Sequence, residues 1–287
     1  MKKSSRNFFT FLEKQIENHI VQDTNIIWFR RCAYLLLLLK MVFIWPELSM
    51  FYRHALNTTA GSLMPYKLMF LPFFKNYYNI YWLVASVIVA MATFGKGNRW
   101  LSVAVYIISM NYILLADQSA NGGDSLHNFL IFMLIFIREG AIKNSARQLM
   151  NNAAIIIIQV HFCILYFVNA YGKIIHPLWR DGSYFKNLWH LFYYANPNLI
   201  PDWFFNPNLN LVTAWSVLLF EFAFPVLIWF KPYKKPLIYI GLLFHLGIAV
   251  FLSLPDFGVT MAIVYILFYD FKQIDKNVSI PAPFKVS

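Results

Sequence analysis

Eight stretches of this chain are apolar and nearly free of charge: Ile27 to Trp45, Tyr77 to Phe94, Trp100 to Ala116, Ser125 to Ile137, Ala153 to Ile175, Leu209 to Phe230, Pro236 to Leu252, and Phe257 to Tyr269. A helix of ~20 such residues crosses a bilayer, whereas a soluble core has no means of covering eight of them. The expected fold is therefore all-α, a bundle of about eight transmembrane helices. The fourth and eighth stretches are short, and a helix of that length needs neighbours to shield it or a locally thin bilayer.

Composition agrees. Hydrophobic side chains make up 59% of the 287 residues and charged ones 13%, with a positive mean hydropathy of +0.53. The 29 Phe, 17 Tyr and 9 Trp suit membrane helices with aromatic belts. A net charge of +11 raises the possibility of a nucleic-acid partner, but the basic residues are scattered through short inter-helix loops and form no patch, so the expected partner is the lipid bilayer. Cys32 and Cys163 both lie inside apolar runs, which supports neither a disulfide framework nor a metal site.

The loops carry orientation. With the N-terminus in the cytoplasm, 17 of the 24 basic residues fall on inner segments and only Arg53, Lys67, Lys75, Arg180 and Lys186 fall outside. That asymmetry is the positive-inside pattern, and it places both termini of a multi-pass cell-membrane protein in the cytoplasm. Residues 1–26 have Phe8, Phe9, Leu12 and Ile16 at helical spacing among charges, which reads as an interfacial helix and not a cleaved signal. The membrane domain then covers 27–270, with an outer cap at 176–208 rich in Asn, Pro and aromatics and a cytoplasmic tail at 271–287.

Ionisable groups inside spans cost several kcal/mol unless paired or hydrated, so each is a functional candidate. They are Lys40, His127, His161, Lys173, Glu221 and His245. In the fifth stretch Gln159, Tyr166 and Lys173 are seven apart and share one helix stripe, with Asn169 beside it. His161 faces away and reads as a helix-to-helix hydrogen bond. Lys40 is close enough to the outer end to snorkel. Glu221 and His245 lie near mid-span and are read equally as structural pairs or as functional groups. Lys173 lies near the outer end, beneath the cap, where Gly172 permits close backbone approach. Snorkelling there competes with a second role, in which partial desolvation frees a neutral amine to act as a base.

The segment "NGGDSLHNFL" contains the Gly-Asp-Ser-Leu tetrapeptide of an esterase family. That motif follows a strand of a soluble domain and needs a later Asp-x-x-His. The chain's Asp-x-x-His is Asp124 to His127, which overlaps the motif, so Asp124 or Ser125 is read as a helix cap. His127 then enters the fourth helix at its outer end, level with Lys173.

A histidine after a Gly/Asn-rich outer loop, then Gln159-x6-Tyr166-x6-Lys173 running into Trp179-x2-Gly182, with "EFAFP" and a mid-helix His245, resembles the vitamin K-dependent γ-carboxylase-like family, also called the horizontally transferred transmembrane domain family. The resemblance spans roughly Ile27 to Tyr269. It implies Lys173 as the base that deprotonates a reduced menaquinone-type quinol, His127 as its partner, and Gln159, Tyr166, Asn169, Trp179, Glu221 and His245 as pocket residues. About 18 residues follow Tyr269, without the soluble domain that binds substrate in the full carboxylase, so a quinol site is implied more directly than glutamate carboxylation. Small bacterial relatives similar to sporulation-delaying protein B suggest an alternative, a maturation or immunity factor for a secreted antimicrobial peptide, and an auxiliary soluble protein is a further possible partner. A small transporter ranks third, because neither inverted repeats nor paired broken helices are visible.

Overall fold

The structure, a computed structural model, describes residues 21–59, 77–116, 119–140, 146–189, 199 and 202–269. Most of the expected interfacial segment 1–26 and the tail 271–287 lie outside the described residues. Every regular element among the described residues is helical: α1 (Asp23–Ile44), α2 (Leu48–Thr59), α3 (Tyr78–Phe94), α4 (Arg99–Leu115), α5 (Gly122–Met133), α6 (Ala146–Ile175), α7 (Pro177–Arg180), α8 (Ser183–Trp189), α9 (Pro207–Leu227), α10 (Lys231–Phe251) and α11 (Pro255–Tyr265). Single 3₁₀ turns at Trp45–Glu47 and Asp202–Phe205 complete the path.

Local chemistry sets where these helices begin. Asn98 caps α4 by accepting from the Trp100 amide at 2.9 Å, and Asn206 caps α9 by accepting from Asn208 at 2.9 Å, with Pro207 as its first residue. The cap of α5 is Asn121, not Asp124 or Ser125. Its Oδ1 accepts from the Gly123 amide at 2.7 Å while Asp124 Oδ2 accepts the Asn121 amide at 2.9 Å, a reciprocal capping box. Ser125 is exposed.

Three helices, α6, α9 and α10, are long and apolar enough to cross a membrane; α3 and α4 are apolar but shorter. Their outward faces are apolar as well: Leu83, Val84 and Val87 on α3, Ile164, Phe167 and Val168 on α6, and Leu243 and Leu246 on α10 are all more than half exposed. Continuous apolar faces of this extent are unusual on a water-facing surface.

The helices pack as two groups. Helices α1, α3, α4 and α5 pack in succession, α6 packs on α9, and α10 packs on α11. The short helix α11 lies between the groups and touches α1, α5, α6 and α10. Its Thr260, Met261, Ile263, Val264 and Tyr265 are buried.

A helix that ends inside a core needs partners for its last carbonyls. Asn25 Nδ2 of α1 donates to the carbonyls of Ile266 at 2.5 Å and Tyr269 at 2.6 Å, and Gln159 Nε2 of α6 donates to that of Leu267 at 2.9 Å. After α5, Asn151 clamps Arg138 through its amide (2.9 Å) and its carbonyl (2.6 Å). Arg30 caps the end of α3 through the Ala92 and Gly95 carbonyls while pairing with Glu139 at 2.7 Å. Asn, Gln and Arg side chains thus satisfy backbone groups at the ends of α3, α5 and α11.

Candidate functional site

The stripe on α6 meets three other helices. Lys173 Nζ donates to Glu221 Oε1 of α9. One step down, the Tyr166 hydroxyl lies 2.6 Å from His245 Nε2 of α10 and 2.5 Å from the Tyr265 hydroxyl of α11. Phe162, Phe220 and Phe224 pack edge-on or tilted around Tyr166 and bury it. Phe220, next to Glu221 on α9, packs on Tyr166, so the two levels adjoin.

Backbone features hold this cluster in register. Gly241 faces the Tyr265 hydroxyl so closely that a Cβ there would sit 2.0 Å from it, and only glycine lets the phenol reach Tyr166. Pro225, one turn beyond Glu221, supplies no N–H for the Glu221 carbonyl, which leaves that turn polar. Within the Lys173 and Tyr166 levels two buried side-chain atoms have no hydrogen-bond partner, Glu221 Oε2 and His245 Nδ1; further down the stripe Gln159 Oε1 has none either.

Above the pair lies the aromatic cap. Trp179 is buried, stacks on Tyr184 at 4.3 Å, and presents its ring 4.9 Å from the Lys173 ammonium. Phe185, Trp189 and Phe204 continue the cluster onto α9 and α10. Gly182, in the left-handed region at φ +78°, lets the cap close on the start of α9, where a Cβ would meet Leu211 Cα at 2.6 Å. Asp181 accepts from the Ser183 hydroxyl (2.6 Å) and amide (2.9 Å), which holds its carboxyl below the usual carboxylate range and starts α8.

A second polar cluster was not foreseen. Lys40 does not snorkel: its side chain is 6% exposed and its Nζ lies 2.6 Å from Asp124 Oδ1 and 3.7 Å from Asp256 Oδ2. Asn121 Nδ2 donates to Asp256 Oδ2 at 2.9 Å, which ties α1, α5 and α11 together. The signal for this cluster was available: on the topology above, Lys40, Asp124 and Asp256 all sit at outer helix ends.

His127 belongs to this second cluster. It follows Asp124 by three residues on α5 and its Nε2 bonds the Ala33 carbonyl of α1 at 2.8 Å, so the expected partnership with Lys173 is replaced by Glu221 on one side and Ala33 on the other. Phe257 stands between the clusters, against Gly123 on one face and 5.9 Å from the His245 ring on the other.

The remaining expected site residues divide. Glu221 and Trp179 meet Lys173, and His245 meets Tyr166 two turns away on the same helix. Gln159 instead caps α11, because its amide is level with the free carbonyl of Leu267. Asn169 is exposed and donates back to the Leu165 carbonyl at 2.8 Å, away from the cluster. Gly172 meets open space and permits no close approach. His161 packs its ring 4.3 Å from Phe129. Tyr265 is the member that sequence reasoning missed, since a tyrosine in an apolar helix gives no sign of which way it faces. Among the described residues, no group of three or more His, Cys, Asp or Glu is placed to hold a metal.

Comparison with known proteins adds no relative: no family model, curated protein or solved structure matches this chain.

Proposed function

We propose that this chain is a multi-pass membrane enzyme of the vitamin K carboxylase-like type, which uses a menaquinone-type quinol to modify a peptide or small molecule at the outer membrane face. The observation that carries the reading is the Lys173–Glu221 pair. It is an ion pair within apolar helices, topped by an aromatic ring, with one carboxylate oxygen buried and unpartnered. A quinol suits that environment. Its flat apolar ring would rest against Trp179, and its hydroxyl would reach the orphan Glu221 Oε2 and the Lys173 ammonium. When bound, the quinol supplies reducing equivalents for reaction with oxygen. The chain's residues supply the rest: Lys173 and Glu221 manage the hydroxyl proton, Tyr166, His245 and Tyr265 fix the floor, and the aromatic cap excludes water.

In this reading all eight apolar helices belong to the membrane domain, with both termini cytoplasmic, and α5 and α11 are shielded by their neighbours. A photoreactive menaquinone analogue tests the site directly. Labelling within Tyr166–Trp179 and Phe220–Phe224, competed by unlabelled menaquinone, is the expected result. Labelling confined to the lipid faces of α3 and α10 would contradict it.

The cap supports a second reading, a maturation or immunity factor that binds a secreted peptide without chemistry. Trp203, stacked on Phe204 at 4.3 Å, is 59% exposed on this cap and offers an aromatic contact. Full biological activity after Lys173→Ala, with loss after Trp203→Ala, would favour binding over catalysis.

A further inference from the structure

Lys173 is held as a cation on two sides, by Glu221 Oε1 and by the face of Trp179. An ammonium has no lone pair with which to accept a proton. Glu221 Oε2 is in the opposite condition. Its side chain is 5% exposed, and this oxygen receives no hydrogen bond. Buried polar atoms are nearly always bonded, and each exception calls for an explanation, an ordered water, an ion or a chemical role among them. Lys173, at 22% exposure, is the more open of the two and faces the approach. The other polar groups of the cluster, Tyr166, Tyr265 and His245 Nε2, are committed to one another.

We propose that Glu221 Oε2, and not the Lys173 amine, is the atom that takes the proton from a hydroxyl-bearing aromatic lipid, with Lys173 remaining a cation throughout. The proposal rests on the quinol reading above and reassigns its base. In the step, the O–H bond of the ligand breaks, an H–Oε2 bond forms, and the electron pair stays on the ligand oxygen. Before transfer the Lys173 ammonium faces the Glu221 carboxylate; afterwards it faces the ligand oxyanion, and Glu221 is a neutral acid. The site's net charge is unchanged, which a low-dielectric setting favours. Deprotonating Lys173 beside an ionised Glu221 would instead strand a buried carboxylate without its cation. His245 Nδ1, also unpartnered, lies on the Tyr166 level and is available to a second polar group of the ligand.

The test uses 1-naphthol, a bicyclic phenol that binds without quinol redox chemistry and whose anion has its own absorbance and fluorescence. It is titrated into the detergent-solubilised full chain at neutral pH. Wild type is expected to bind it as the naphtholate. Lys173→Arg, which keeps a cation unable to act as a neutral amine, is expected to bind within about tenfold of wild type and still ionise the probe. Glu221→Gln is expected to bind the neutral naphthol only. Bound but un-ionised probe in Lys173→Arg, or naphtholate in Glu221→Gln, overturns the assignment. Un-ionised probe bound to wild type also overturns it and leaves the quinol reading standing, whereas no binding to wild type removes both.

Discussion

Lys40 and Lys173 are both lysines near the outer ends of apolar helices, yet their surroundings give them different work. Lys40 is enclosed, with two aspartates and the Tyr112 ring around it, and every anionic partner there is itself hydrogen-bonded. Lys173 is partly open, and its carboxylate has an oxygen to spare. The first arrangement fastens helices; the second, in the proposed reading, is where a ligand binds. Lys40→Met would leave Asp124 charged and buried without its cation, and thermal unfolding should show a loss of about 3–5 kcal/mol. Adding Asp124→Asn should return part of that loss; an unchanged melting temperature in the single variant would mean the pair is not load-sharing. At this scale the sequence announced which residues matter better than whom they meet. The seven-residue spacing of Gln159, Tyr166 and Lys173 put them on one stripe; Gln159 and Tyr166 are buried and Lys173 pairs with Glu221 while partly open. Their partners lie 48 to 108 positions away, beyond the reach of any local pattern.

At the scale of elements, the short helix α11 organises the molecule. Its carbonyl end is satisfied by Asn25 and Gln159, which belong to different helices. Replacing either with leucine strands buried carbonyls, at about 1–3 kcal/mol each, and amide exchange should accelerate in α11 before it does in α6. Uniform acceleration would show that α11 is not a separately capped unit. Gly241 sets the other contact of α11. Gly241→Ala drives a methyl into the Tyr265 hydroxyl and should cost about 1–3 kcal/mol, whereas the same change in a Tyr265→Phe background should cost less, because the obstructing oxygen is gone. Strict additivity would contradict the packing described. The apolar runs gave these helices away, since a helix buried on most sides is apolar over most of its length. Their caps were harder to read, because Asn121, Asn25 and Gln159 act through side-chain geometry that no run of residues encodes.

At the scale of the whole molecule, two groups of helices meet across α11, apolar faces look outward, and an aromatic cap closes the end where Lys173 lies. The proposed topology makes Lys96 cytoplasmic and Lys186 external. With the native cysteines replaced by alanine, Lys186→Cys should react with a membrane-impermeant maleimide on intact cells and Lys96→Cys only after lysis; the reverse order would invert the account. The central claim is that the Lys173–Glu221 pair is a seat of chemistry and not only a brace between α6 and α9. The most direct measurement is epoxide formation by purified protein supplied with a reduced menaquinone analogue and oxygen, with Lys173→Ala alongside. The account predicts epoxide from wild type and none from the folded variant. Equal epoxide from both proteins, or none from folded wild type, would contradict it.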